Sequence, residues 1–259
     1  MKLSFNLGMV PGVTELFPGD SLSERLTVAR AHGFTGVEGP VPARPREVRQ
    51  QLDAHGMRYA CLSFARGDGA AGELGIAGLP GREAEFRDEL DRAIEAADLL
   101  ACDLIHPLAG RVPEGTSRAA CWTQYGHHLQ MACERAAQAG VQVIVEPICA
   151  ARQPSFLLNT LAQAHSLAAD LPGLKIMVDM FHAALSGESV AAFARSHADS
   201  IGMLQVASVP TRSQPSAEDP ELLAAVQALR SQGWAGWISA EYVPQGELPR
   251  SLDWLRVLA

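Results

Sequence analysis

Eight short apolar runs alternate with eight longer amphipathic stretches, in strict order, from one end of this chain to the other. Near-continuous apolar runs read as strands covered on both faces, and the stretches between them as helices packing one face on that sheet. Strands are expected at 3–9, 36–39, 58–64, 103–108, 141–148, 174–180, 202–207 and 237–243. Helices are expected at 22–32, 46–55, 83–100, 118–139, 160–170, 189–197, 220–231 and 249–258. Eight βα units argue for an α/β fold, a closed (β/α)8 TIM barrel with residues 1–259 as a single domain. An open doubly wound sheet would show fewer strands and a phosphate-binding glycine fingerprint in its first turn.

The connections differ at the two ends of the strands. Helix-to-strand turns are short and carry Gly33, Gly56, Gly140, Gly173 or Gly233, as left-handed helix caps require. Three strand-to-helix connections, 10–20, 65–82 and 208–219, are long and rich in Gly or Pro. Long connections on one side mark the working face of a barrel. That face also carries four oxygen-bearing residues at the ends of successive apolar runs. They stand in Val-Ile-Val-Glu146-Pro, Ile-Met-Val-Asp179-Met, Gly-Met-Leu-Gln205-Val and Ile-Ser-Ala-Glu241-Tyr.

Bulk properties narrow the function. The 47% hydrophobic and 19% charged content fits a folded protein with a sizeable core. A net charge of −8 argues against nucleic-acid binding, which needs a basic stripe, and against attraction to anionic membranes. Cys61, Cys102, Cys121, Cys133 and Cys149 are odd in number and form no CxxC pair, so they read as reduced, buried small hydrophobes. The N-terminal run is broken at Ser4 and Asn6, which suits a strand rather than a signal peptide. No stretch approaches a membrane span, and a cytoplasmic location is the expectation.

Oxygen donors converging from four strands suit a hard divalent cation such as Mg²⁺ or Mn²⁺. Glu146 and Glu241 can also move protons: two carboxylates flanking a substrate can take one from a carbon and return it to its neighbour. A cation there would stabilise the developing enediolate. His182, three residues after Asp179, and His106, at the end of the fourth run, reach the same face, either as ligands or as hydrogen-bonded core histidines. Glu38 either lines the pocket or caps the second strand. The glycine-rich stretch 67–81 lacks the Gly-Lys-Ser/Thr ending of a phosphate loop and reads as a lid or a surface loop.

These residues resemble the hydroxypyruvate isomerase family within the xylose isomerase-like TIM barrels. The likeness runs nearly end to end. It includes Gly-Phe-Thr-Gly-Val-Glu38, Ala-Gly-Glu73-Leu-Gly with Leu-Pro-Gly-Arg82-Glu, Val-Asp179-Met-Phe-His182-Ala, Leu-Gln205-Val-Ala and Gly-Trp-Ile-Ser-Ala-Glu241-Tyr. It implies a divalent metal held by Glu146, Asp179, Gln205 and Glu241, with Glu146 and Glu241 as the acid/base pair of an aldose–ketose-type isomerisation. It places His106 and His182 against the substrate. After Gln205 the family's acidic Gly-Glu-Ile-Asn-type stretch is replaced by Thr-Arg-Ser-Gln-Pro-Ser-Ala-Glu-Asp, on the substrate side of the site.

The leading expectation is a metal-assisted isomerase of a small hydroxy-oxo acid of the hydroxypyruvate/tartronate semialdehyde type. A 2-oxo-tetronate isomerase or a keto-sugar epimerase would use the same residues. A DNA-repair nuclease would need more metal-binding histidines and a basic cleft. A non-catalytic sugar-binding barrel would not need both glutamates. A small-molecule partner, no nucleic acid and no membrane are expected, and a homo-oligomer is compatible with the barrel.

Overall fold

The computed structural model describes residues 1–8 and 16–258, so the expected first connection at 10–20 and the end of the first expected strand lie partly outside it. In chain order the elements are β1 Lys2–Asn6, α1 Leu22–Ala31, β2 Gly36–Pro40, α2 Pro45–Ala54, β3 Arg58–Ser63, α3 Glu83–Leu100, β4 Leu104–His106, α4 Arg118–Gln138 and β5 Gln142–Val145. There follow α5 Leu161–Asp170, β6 Leu174–Asp179, α6 Met180–Leu185, α7 Val190–His197, β7 Ile201–Val206, α8 Pro220–Ser231, β8 Trp237–Ala240 and α9 Leu248–Ser251. The strands pair in parallel, each with the next, and β8 pairs with β1 to close the barrel. The five expected turn glycines all take positive φ, between 61° and 88°. No helix among the described residues is long and apolar enough to cross a membrane.

Several boundaries differ from the sequence reading. Glu146 and Glu241 fall one residue beyond β5 and β8. A short extra helix, α6, follows β6 at once, because the Asp179 carboxylate accepts the Phe181 N–H at 2.7 Å and caps it. The expected last helix splits into α9 and a 3-10 turn, Asp253–Leu258. There the Tyr242 hydroxyl donates to the Ser251 carbonyl at 2.7 Å, removing an acceptor that a continuing helix would use. All five cysteines are free and buried, as expected.

Side chains along a strand alternate between the two faces. A small buried cluster containing Leu104, Ile144, Met177, Met203 and Trp237 fills the barrel interior, and a larger one lies between sheet and helices. Moving two residues along each of these strands reaches His106, Glu146, Asp179, Gln205 and Ser239. The inward-facing set therefore changes from an apolar floor to a polar roof within one pleat. β1 and β2 add Asn6 and Glu38 to that roof, both buried.

The floor has little slack. Trp237 lies across Gly36, where a Cβ would sit 2.5 Å from the indole Cζ3. Gly36→Ala is expected to overpack this layer and cost about 1–3 kcal/mol, read as a lower urea midpoint at unchanged slope. Stability equal to the unaltered protein would show that the indole can shift without cost.

Candidate functional site

The polar roof opens into a cavity of about 170 Å³, room for a small molecule. It is lined by Ser63, Arg66, His106, Glu146, Arg152, His182, Gln205, Arg212 and Glu241, among others. Asp179 lies just beneath: the Glu146, Asp179 and His182 ligand atoms all fall within 4.8 Å of one another. His182 Nε2 is 3.8 Å from Glu146 Oε1 and 3.7 Å from Asp179 Oδ2. Asp179 and Gln205 are cross-strand partners on β6 and β7. The fold thus brings all six sequence-derived residues to one place.

The residue that ties them together was not among those expected. Arg212 donates from Nη2 to Asp179 Oδ2 at 2.7 Å and to Glu241 Oε1 at 2.9 Å. Its Nη1 is 3.2 Å from His182 Nε2, and its Nε donates to the Glu241 carbonyl at 3.2 Å. The side chains of Asp179, Glu241 and Arg212 are 0%, 12% and 13% exposed, so these charges are largely desolvated and need one another. Arg212 adopts a left-handed φ of 54°, uncommon for a bulky residue, and its loop is fixed by the Ser208–Ser213 bridge and by Val243 N donating to the Arg212 carbonyl. The sequence signal was only that the 208–219 connection departs from the family pattern.

Electrostatics follow from burial. Burial raises the Glu146 carboxyl well above its ordinary range, helped by the like charges of Glu241 and Asp179. Glu241 is pushed up to about 8 by burial, against the opposing pull of Arg212. Burial also raises Glu38. Arg212 is opposed by burial, yet Asp179, Glu241 and Glu146 hold its proton more tightly than usual. Burial lowers His182 and His106 to about 4, so both imidazoles are neutral near pH 7. Since an arginine can only donate, His182 Nε2 accepts, and its Nδ1 proton points to Cys149 Sγ at 3.3 Å. Cys149 thereby orients the ring, a partnership invisible in sequence.

The donor set fits a hard divalent cation. Three carboxylates and one amide are all oxygen donors, and the buried Gln205 Oε1 has no hydrogen-bond partner. Its amide N–H instead donates to Glu38 Oε1 at 3.0 Å. A buried amide oxygen left unpaired among carboxylates matches what a hard cation asks of its ligands.

The 65–82 connection is less free than a lid. Leu74, Ile76, Ala77 and Leu79 are buried. Gly75 N donates to the Arg66 carbonyl at 2.7 Å, and Gly78 N to that of Ala109 at 2.7 Å. His128 Nδ1 bonds the Ala77 carbonyl at 2.7 Å, and Arg111 donates to that of Gly72 at 2.6 Å. An Arg82–Glu73 ion pair closes the base. Exposure is concentrated at Ala65 and residues 67–71, with Pro80 and Gly81 exposed at the far end, so movement over the cavity is confined to the 65–73 half.

His106 gives the site a measurable acid limit. In the unfolded chain its imidazole titrates near its usual value, whereas the fold holds it at about 4. On acidification the unfolded state binds the proton first. Stability present above pH ~6.5 should therefore fall until pH ~4, by up to about 3 kcal/mol from this group. Urea unfolding across that range should show a shallower decline in His106→Gln; equal slopes would mean the imidazole is not held neutral.

The Xylose isomerase-like TIM barrel family matches residues 26–258. The 2-oxo-tetronate isomerase of Cupriavidus necator is 35% identical over 237 residues, covering 90% of this chain and 91% of that protein. The hydroxypyruvate isomerase of Escherichia coli is 30% identical over 259 residues, with 98% of each chain covered. A crystal structure described as AP endonuclease, family 2, from Brucella melitensis superposes with a TM-score of 0.87 at 28% identity, covering 98% of each chain. The chain belongs to the xylose isomerase-like TIM barrel family.

Proposed function

From that family membership we propose that this chain is an isomerase moving a carbonyl between adjacent carbons of a small hydroxy-oxo acid, of the hydroxypyruvate or 2-oxo-tetronate kind. One observation carries the reading: Glu146 and Glu241, from β5 and β8, line one cavity, with Asp179 and Gln205 supplied by the strands between them. The relatives named for isomerases cover nearly the whole chain. A divalent cation such as Mg²⁺ or Mn²⁺, held by Glu146, Asp179, Gln205 and Glu241, would polarise the substrate's carbonyl and hydroxyl oxygens and stabilise the enediolate charge.

The chain's own groups handle the protons. One glutamate takes the proton from the hydroxyl-bearing carbon; that C–H electron pair becomes the C=C bond of an enediolate, and the carbonyl oxygen takes the charge. The other glutamate returns a proton to the former carbonyl carbon, while the hydroxyl proton passes to the former carbonyl oxygen. Burial tunes both carboxyls upward, toward the neutral range where a group can both accept and give a proton. Neutral His106 hydrogen-bonds the substrate's oxygens without adding charge, while His182, whose two ring nitrogens meet Arg212 and Cys149, forms the wall beside them. Arg212 fixes the Asp179 and Glu241 carboxylates in place.

The cavity's cations favour an acid over a neutral sugar. Three carboxylates are balanced by one divalent ion and Arg212. Arg152, whose Cζ lies 5.8 Å over the Phe181 ring, adds a positive charge that the cage does not require, and Arg66 lines the same cavity. A guanidinium suits a carboxylate through its forked donors.

The reaction is tested by incubating the Mn²⁺-loaded protein with small hydroxy-oxo acids and free ketoses in D₂O. Deuterium uptake together with carbonyl migration supports the isomerase; uptake with inversion alone marks an epimerase instead. Glu146→Gln and Glu241→Gln are each expected to lower turnover by about 10²–10⁴-fold with metal still bound, and the double variant to be little worse than the poorer single one. Near-full turnover in either single variant removes that glutamate from the mechanism. Arg152→Gln should raise KM for the acid by about tenfold or more, the worth of one charge-assisted hydrogen bond, with little change for an uncharged ketose. An equal effect on both would place Arg152 outside carboxylate recognition.

A further inference from the structure

Glu38 stands apart from the proton-transfer pair. It lies on β2, buried in the polar roof, and does not line the cavity. Its Oε1 accepts two hydrogen bonds, from Gln205 Nε2 on β7 at 3.0 Å and from Ser239 Oγ on β8 at 2.7 Å. Three strands thus meet on one carboxyl group.

The consequence lies in the chemistry of a primary amide. Gln205 carries an acceptor oxygen on one side of its amide carbon and a two-proton donor on the other. With the donor committed to Glu38, the oxygen must face the other way. That Oε1 is the buried atom with no partner, and Gln205 lines the cavity beside Glu146 and Glu241. Turning the amide over would set its oxygen against Glu38 Oε1, acceptor to acceptor, at 3.0 Å. Both bonds end on Oε1, so a proton on Oε2 leaves them intact.

We propose that Glu38 is a positioning residue: by holding the Gln205 amide nitrogen, it fixes the amide oxygen toward the cation cage. The inference rests on the reading that the cage takes a divalent ion. Glu38 neither ligates the ion nor touches substrate; it decides which atom of a neutral, reversible side chain is offered. A carboxylate ligand needs no such help because its two oxygens are alike.

Glu38→Asp is the informative change. It keeps the charge and the acceptor but withdraws the carboxyl by about 1.5 Å, one C–C bond, from Gln205 Nε2. Calorimetric titration with Mn²⁺ on the metal-free full-length protein should show affinity reduced about 10–100-fold, the usual cost of losing an outer partner of a ligand. Gln205→Met, similar in shape but with no amide, should bind at least as weakly. The double variant should be no weaker than Gln205→Met alone, because Glu38 acts only through that amide. Glu38→Gln keeps an acceptor oxygen toward Gln205 and Ser239 and should stay close to the unaltered affinity, which also covers the case of Glu38→Asp failing to fold. Thermal unfolding of the metal-free variants reports any purely structural cost separately.

Unchanged Mn²⁺ affinity in a folded Glu38→Asp overturns the proposal. So do losses that multiply in the double variant, or a Glu38→Gln as weak as Gln205→Met. Absence of Mn²⁺ binding by the unaltered protein overturns the metal reading and this inference with it.

Discussion

The two-residue pleat of a closed parallel barrel is the constraint on which the rest depends. The lumen has no route to water except its mouth, so a polar side chain deep in it would be stranded. Met177 and Asp179, Met203 and Gln205, and Ile144 and Glu146 show the solution: the inward position turns polar only at the last step before the mouth. A slip of one residue would send those acids into the layer packed by the helices, where an unpaired carboxylate is far too costly to keep. Fold and site are therefore specified by one pattern.

Gathering so many acids in one roof creates a second requirement. The charge of Asp179 and of their own neighbours raises the proton affinity of Glu38, Glu146 and Glu241, on top of burial. A guanidinium answers this better than an ammonium would. Its planar fork reaches Asp179 and Glu241 at once and still meets the His182 ring. Removing either side of such a desolvated group leaves the other uncompensated, so the cluster stands as a unit. The left-handed backbone at Arg212 is the local strain accepted to deliver that fork.

The barrel was legible because its cause is local. Each apolar run, glycine cap and amphipathic stretch announces itself within a dozen residues. Glu146, Asp179, Gln205, Glu241 and His106 were expected at the mouth for the same reason, since a polar residue closing an apolar run falls there by parity alone, and His182 follows three residues after Asp179. Arg212 was not, because nothing in a Pro-Thr-Arg-Ser segment says that its side chain turns back over the strand ends. Glu38 stayed undecided because its partners, Gln205 and Ser239, are 167 and 201 residues away in sequence. The third connection read as a lid or a surface loop because glycine count does not reveal that Leu74, Ile76 and Leu79 are buried. The short helix α6 went unread because only Met180 fell within an expected element, the end of the sixth strand; the Asp179 cap separates the two.

The acids of the roof arrive on or directly after strands, whereas Arg212 arrives on a loop held by the Ser208–Ser213 bridge and by the Val243 N–H donating to the Arg212 carbonyl. The molecule is thus split into a chassis and an attachment. Sheet positions are locked to one another by ladder pairing and cannot be exchanged piecemeal. The 208–213 segment meets the chassis at a few points and, Arg212 apart, can be rewritten while the ladder stands. A lineage carrying this barrel could acquire a new appetite by editing that attachment, and its acids would stay where the pleat puts them.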